Sequence, residues 1–221
     1  MPPAPASHDV VVLIHGLGRT TRSLWLISMV ARRRGFQVIA WGYPSRHGTI
    51  QEHAAALDRA LTATLCAARG RVHFVTHSLG GLLVRAYLGS VTIPNLGRIV
   101  MLAPPNQGTE VADRLREWWP FRVMTGPSGQ QLGTGPDGVA SRLPLIDGEV
   151  GIIAGDRSTN PLFDAWIDGA SDGKVGVART HLPGMTDHLV VRAGHTFLPW
   201  RPDVVRQVFA FIERGRFDVR E

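Results

Sequence analysis

Thr76-His77-Ser78-Leu79-Gly80-Gly81 directly follows the apolar run Val72-His73-Phe74-Val75. A strand that runs into a serine, then into small residues that open a helix, is the layout of a nucleophile elbow. In that turn the backbone lifts a hydroxyl clear of the sheet. The start of the helix also aims backbone N–H groups at any anion formed beside the serine. The usual string is G-x-S-x-G. Here Thr76 takes the first position, and a β-branched side chain is expected to crowd so tight a turn. The competing reading of the string is a strand end with a serine N-cap.

A serine hydroxyl is a weak nucleophile at its own pKa, so it needs a base, and the base needs an acid to orient it. Of the nine histidines, His195 in Ala193-Gly194-His195-Thr196 lies just past the last strand and before the last helix. That loop ends beside the elbow. His188 falls at the start of the same strand, the wrong end of a sheet. His77 reads as a packing residue, and His15 belongs to a separate glycine loop. For the acid there are two candidates. Asp172 in Ser171-Asp172-Gly173-Lys174-Val175 gives the chain order Ser, Asp, His. Asp156 is its rival, because it follows a strand immediately. Either could instead be an Asx-turn carboxylate that caps local N–H groups. The oxyanion formed in acyl transfer needs two backbone donors. Leu79 N–H is one, and the loop His15-Gly16-Leu17-Gly18 offers Leu17 N–H as the other. That loop fits neither phosphate-binding spacing, G-x-x-x-x-G-K-[ST] or G-x-G-x-x-G.

These residues need elements to hold them. Val10 to Ile14 is a continuous apolar run, as expected of a strand buried on both faces. Further strands are predicted at Val38–Trp41, Val72–Ser78, Ile99–Leu102, Val150–Ala154 and Leu189–Val191. Helices are predicted at about 22–34, 50–68, 79–88 and 202–214. Ala54, Leu57, Leu61 and Leu65 mark the second of these, and Gly70 stops it. Alternating strands and helices predict βαβ units: an α/β three-layer sandwich around a mostly parallel sheet of about six strands. The His15 loop, Ser78, Asp172 and His195 all fall at carboxyl ends of strands, where open parallel sheets bind ligands.

The pattern weakens between Pro104 and Glu149. Trp118-Trp119-Pro120-Phe121 precedes a Gly/Pro-rich run from Thr125 to Pro136, too long for an ordinary connection. Two readings stand. In one, about 106–149 forms a lid or acyl-binding wall, with Trp118, Trp119 and Phe121 contacting substrate. In the other it is a helix and surface loop whose tryptophans are core.

Composition narrows the class. The 221 residues suit a single domain over 1–221 with a globular protein's balance of apolar and charged residues. The single cysteine, Cys66, excludes an intrachain disulfide. No apolar run approaches the roughly 20 residues of a membrane span. Met1 to Ser7 holds no apolar core of signal-peptide length. If Met1 is the native start, a cytoplasmic protein is expected; a trimmed signal would make it secreted. Net charge is +6, and of 24 basic residues only Lys174 is lysine. The basic clusters Arg32-Arg33-Arg34 and Arg214 to Arg220 lack interleaved aromatic residues, so they read as solvated helix ends rather than a nucleic-acid surface.

Together these motifs resemble the α/β-hydrolase superfamily, and within it the small bacterial lipases and esterases. The resemblance runs from Val10–Gly18 through the elbow to Asp172-Gly173-x-Val175 and Gly194-His195. Ala103-Pro104-Pro105-Asn106-Gln107-Gly108-Thr109 is similar to the segment after a central strand of lipase-like members. It implies a minimal sheet without the family's first two strands, Ser78 as nucleophile, Asp172 as acid and His195 as base. Leu17 and Leu79 would be the oxyanion donors. It implies hydrolysis of a small-molecule or lipid ester through an acyl-serine, with no cofactor and no metal. An acyltransferase working through the same acyl-enzyme and a non-catalytic binding protein on this fold are the alternatives. Oligomeric state stays open.

Overall fold

The computed structural model describes residues 8–158 and 160–218. Met1–Ser7, on which the reading of the chain start rests, and Arg220 of the basic tail lie outside the described residues. One sheet holds six strands: β1 (Val10–Ile14), β2 (Gln37–Trp41), β3 (Val72–His77), β4 (Leu96–Leu102), β5 (Val150–Gly155) and β6 (Asp187–Val191). Their order is β2-β1-β3-β4-β5-β6, and every pairing is parallel. The chain leaves β1 toward β2, then returns to build outward from β3. The direction of growth therefore reverses between β1 and β3, and the carboxyl ends of those two strands border a crevice.

The helices are α1 (Trp25–Arg33), α2 (Ile50–Cys66), α3 (Leu79–Leu88), α4 (Glu110–Leu115), α5 (Trp119–Gln130), α6 (Pro161–Asp164) and α7 (Pro202–Arg214). Successive strand residues point to opposite faces. Val10, Val12 and Ile14 join Leu57, Leu82 and Tyr87 in one core. Val11 and Leu13 join Ile27, Val208 and Phe209 in the other. So α2 and α3 cover one face, and α1 and α7 the other. A continuous apolar run is what two covered faces demand, and each fully buried Leu or Phe adds about 1.5–3 kcal/mol.

Local chemistry sets the helix starts. Thr49 and Glu52 form a capping box at α2, with Thr49 Oγ1 accepting from Glu52 N and Thr49 N donating to Glu52 Oε2. The Arg32–Arg34 cluster ends α1. Arg34 pairs with Glu213, and its guanidinium lies 4.9 Å from the Phe209 ring centroid. That is a packing role. No helix of the described residues is long and apolar enough to cross a membrane.

The stretch after β4 contains more helix than its composition implies. α5 reaches Gly126, where the chain leaves the helical region (φ 62°, ψ −167°), and Pro127 opens a second short piece. A side chain at Gly126 is excluded, since its Cβ would overlap the Arg46 carbonyl. A kink at glycine with proline just after it explains why a segment rich in breakers is helical on both sides of the break.

Candidate functional site

Ser78 joins β3 to α3 in a strained conformation, φ 54° and ψ −123°. Non-glycine residues seldom adopt positive φ. The turn is held from both sides: Ser78 N donates to Leu102 O at 2.8 Å, and Gly81 N donates to Ser78 O at 2.9 Å. The first turn of α3 backs directly onto the end of β1. A Cβ at Gly80 would lie 2.6 Å from Ile14 O and 3.0 Å from His15 O, so only glycine fits there.

Thr76 does not crowd this turn. It is the penultimate residue of β3, paired with Ile14 and Met101. Extended backbone suits a β-branched side chain. Its hydroxyl faces Gly81, where a Cβ would sit 3.6 Å away. That hydroxyl is buried without a hydrogen-bond partner among the described residues.

The loop after β6 brings His195 to Ser78. His195 Nε2 lies 2.9 Å from Ser78 Oγ, and Nδ1 lies 2.7 Å from Asp172 Oδ2. Both partners are buried: His195 is 6% exposed and Asp172 4%. The network assigns the tautomer: Nδ1–H donates to the carboxylate, leaving Nε2 to accept from the serine hydroxyl. Asp172 Oδ1 accepts from Lys174 N at 3.0 Å and Val175 N at 2.9 Å. The two backbones are also joined, His195 N donating to Asp172 O at 3.0 Å. The Asx-turn contacts expected of a capping aspartate are therefore present, and they leave one oxygen for the imidazole. Asp156 stands apart, exposed beyond β5.

The other histidines occupy supporting places. His77 Nε2 lies 3.0 Å from His195 O, so the ring holds the carbonyl of its neighbour. Burial, then the nearby His195, holds His77 well below the ordinary imidazole range, and the ring is neutral. His15 stacks on Tyr43 with centroids 4.4 Å apart, and Tyr43 Oη donates to His15 O at 2.9 Å. These contacts brace the Gly16–Gly18 loop from below. His188 is at the start of β6, its Nε2 2.9 Å from Thr180 Oγ1. Burial, with a contribution from His181, pushes it down to about 4.

Leu17 borders the same cavity as Ser78 and His195. Leu79 is the first residue of α3, so its N–H has no intrahelical partner. Among the described residues neither N–H donates elsewhere.

The cavity has a volume of about 300 Å³. Val111, Leu115, Trp118, Phe121, Met124 and Leu132 make one apolar wall, contributed largely by α4 and α5. Trp119 is outside it. Its side chain is 72% exposed, while Trp118 is 55% exposed and still reaches the cavity. The core reading of the two tryptophans is therefore corrected: Trp119 and Val123, one turn apart, both face solvent on the outer side of α5.

Arg85 gave no signal in the sequence beyond a cation on an apolar helix. It is 3% exposed. Its guanidinium donates to the carbonyls of Asn106, Ala140, Leu143 and Pro144 at 2.9–3.3 Å. One side chain of the helix that starts at Ser78 thus ties down both ends of the wall segment. Burial lowers its pKa to about 10.

A parallel sheet covered on both faces, with a crevice at a strained serine, defines an α/β protein of the hydrolase type. The chain belongs to the alpha/beta hydrolase family, whose model matches residues 11–144. No curated protein sequence matches it. Among solved structures it is similar to the mature form of Bacillus licheniformis lipase BlEst2, at 18% identity and TM-score 0.70 over 88% of this chain and 87% of that one. It is similar to a metagenomic carboxyl esterase at 19% identity and TM-score 0.69, over 88% of this chain and 67% of that one. The RedJ thioesterase of the Streptomyces coelicolor prodiginine pathway shares 14% identity at TM-score 0.57, over 97% of this chain and 89% of that one. At such identities the likeness is one of fold.

Proposed function

We propose that the protein is a serine carboxylester hydrolase, an esterase or lipase. Ser78 is its nucleophile, His195 its base and Asp172 its acid. The observation that carries this reading is the unbroken hydrogen-bond chain Ser78 Oγ–His195 Nε2 and His195 Nδ1–Asp172 Oδ2, at 2.9 and 2.7 Å. It sits where a strained serine opens onto an apolar cavity.

Ser78 Oγ attacks the ester carbonyl carbon as its proton passes to His195 Nε2. Asp172 stabilises the imidazolium without taking the proton. The carbonyl oxygen becomes an oxyanion facing Leu17 N–H and Leu79 N–H, each worth about two to three powers of ten in rate. The carbon–oxygen bond to the leaving alcohol then breaks, and the alcohol leaves with the proton from His195. Water, deprotonated by His195, attacks the acyl-serine. The acid is released and the proton returns to Ser78. The segment 106–149 acts as the acyl wall of a single domain, with Trp118 and Phe121 against the chain and Trp119 outside.

Initial rates on 4-nitrophenyl esters from two to sixteen carbons, with a fluorophosphonate probe, test this. Wild type should hydrolyse the series and take the probe on Ser78, and Ser78→Ala should do neither while keeping its circular dichroism. A folded wild type that neither turns over any ester nor reacts with the probe would remove the proposal.

A further inference from the structure

The cavity has a second side that the hydrolytic steps do not use. Arg19, Arg46 and Lys174 line it, and no aspartate or glutamate does. They come from three separate loops, after β1, after β2 and between β5 and β6. Arg19 Nη2 donates to Thr196 Oγ1 at 3.1 Å, one residue from His195. Arg46 lies over the Gly16–Gly18 loop, where a Cβ on Gly18 would be 2.9 Å from its Nη2. Lys174 is clamped through its backbone, with N donating to Asp172 Oδ1 at 3.0 Å and O accepting from Thr109 Oγ1 at 2.5 Å. Its side chain has exposed surface, but the ammonium is crowded: burial first, then Arg19, lowers its pKa, against a smaller opposing pull from Asp172.

Arg98, Arg179 and Arg201 are half-buried, as Arg19 is, and each of those three has a carboxylate partner. Arg98 pairs with Glu149 at 2.9 Å, Arg179 with Glu110 at 2.6 Å and Arg201 with Asp203 at 2.8 Å. Arg19, Arg46 and Lys174 have no carboxylate within ion-pair distance among the described residues. Asp172, the acid that acts on Lys174, has both oxygens engaged. Like charges gathered in a cleft with apolar walls repel one another and focus a field that draws in an anion. Arg19 and Lys174 adjoin the His195–Asp172 pair, which protonates the departing alcohol, and Arg46 reaches the cavity over the Gly16–Gly18 loop.

We propose that these three cations bind an anionic group on the leaving-group side of the substrate, so that the preferred esters are those of a phosphate- or carboxylate-bearing alcohol. This rests on the ester-hydrolase reading above. The acyl chain takes the apolar wall, and the anion takes Arg19, Arg46 and Lys174.

The test compares two butyrate esters whose leaving groups have similar acidity, 4-nitrophenol and its 3-carboxylate. Wild type should favour the carboxylate ester in kcat/KM by about tenfold, the effect of one charge-assisted hydrogen bond. The ratio should fall toward one at about 1 M salt, where the Debye length is ~3 Å. It should also fall toward one in Arg19→Gln/Lys174→Gln, and hold in Arg19→Lys. A wild-type ratio of one or less overturns the proposal, whatever the variants do, and so does a ratio kept by the double variant. Octanoyl glycerol 3-phosphate separates two sources of anion: preference seen below its aggregation threshold supports a soluble anionic alcohol. Preference only above that threshold would assign the cations to an anionic lipid surface and overturn the subsite. If neither ester is hydrolysed, or Ser78→Ala hydrolyses both as well as wild type, the ester-hydrolase reading itself has failed instead.

Discussion

The elbow and the wall of this cavity are built by opposite means. In β3 every residue is buried, and in α3 only Ala86 and Leu88 are not. Ser78 is held there by hydrogen bonds to Leu102 and Gly81 and by backbone packed against β1. In α5 only Ser128 and Gly129 are buried, and Val123 and Met124 are 72% and 60% exposed. A buried, hydrogen-bonded frame can fix reacting atoms to within tenths of an ångström, and transfer chemistry is sensitive to displacements of 1 Å. An exposed apolar surface cannot do that. It can shape the space for a chain whose exact position matters less. The contrast teaches a division of labour: rate should reside in the frame and chain-length preference in the wall.

That division has a large and a small consequence. In the frame, His195→Ala should lower kcat by about 10⁶ and Asp172→Asn by about 10⁴, since members of a triad act as a unit. Asp156→Asn should stay within about twofold, being exposed and away from the imidazole. Stopped assays on a short ester give all three. A loss at Asp156 comparable to that at Asp172 would break the assignment of the acid. In the wall, Trp118→Ala should lower kcat/KM on long acyl esters by about tenfold, as expected for apolar contacts worth about 1–3 kcal/mol, and change acetate hydrolysis far less. Trp119→Ala should have the smallest effect, within about twofold on every chain length. If Trp119 mattered more than Trp118, the inner and outer faces of α5 would have been exchanged.

The strands were legible because burial on both faces writes itself as unbroken apolar runs such as Val10–Ile14. The parallel order followed from the alternation with helices. Ser78 and His195 could be picked out because each falls at a strand's carboxyl end, and Asp172 was preferred to Asp156 on its place between strand and histidine and on the Asp172-Gly173-x-Val175 string; the structure brings the three into contact. The wall was less legible, because the same Gly126-Pro127 pair that reads as a loop serves as a kink between two helical pieces. Thr76 was misjudged by counting it into the turn, when its backbone is strand. Arg85, Arg19 and Arg46 were invisible as functional residues. A cation's meaning depends on what faces it, and the acceptors of Arg85 lie 21 to 59 positions away along the chain, that of Arg19 177 away.

The four carbonyls gathered by Arg85 bear on how the molecule comes apart. If the wall segment peeled away alone, Arg85 would exchange its four carbonyl acceptors for water, at a net cost of about 1.5–3 kcal/mol per charged hydrogen bond. Segment and sheet are thereby fused into one cooperative unit, and local opening is suppressed in favour of global unfolding. On heating, loss of activity should coincide with loss of fold. Arg85→Met should separate them, with inactivation preceding the calorimetric transition by several degrees; coincident curves in that variant would show that the wall is held by something else.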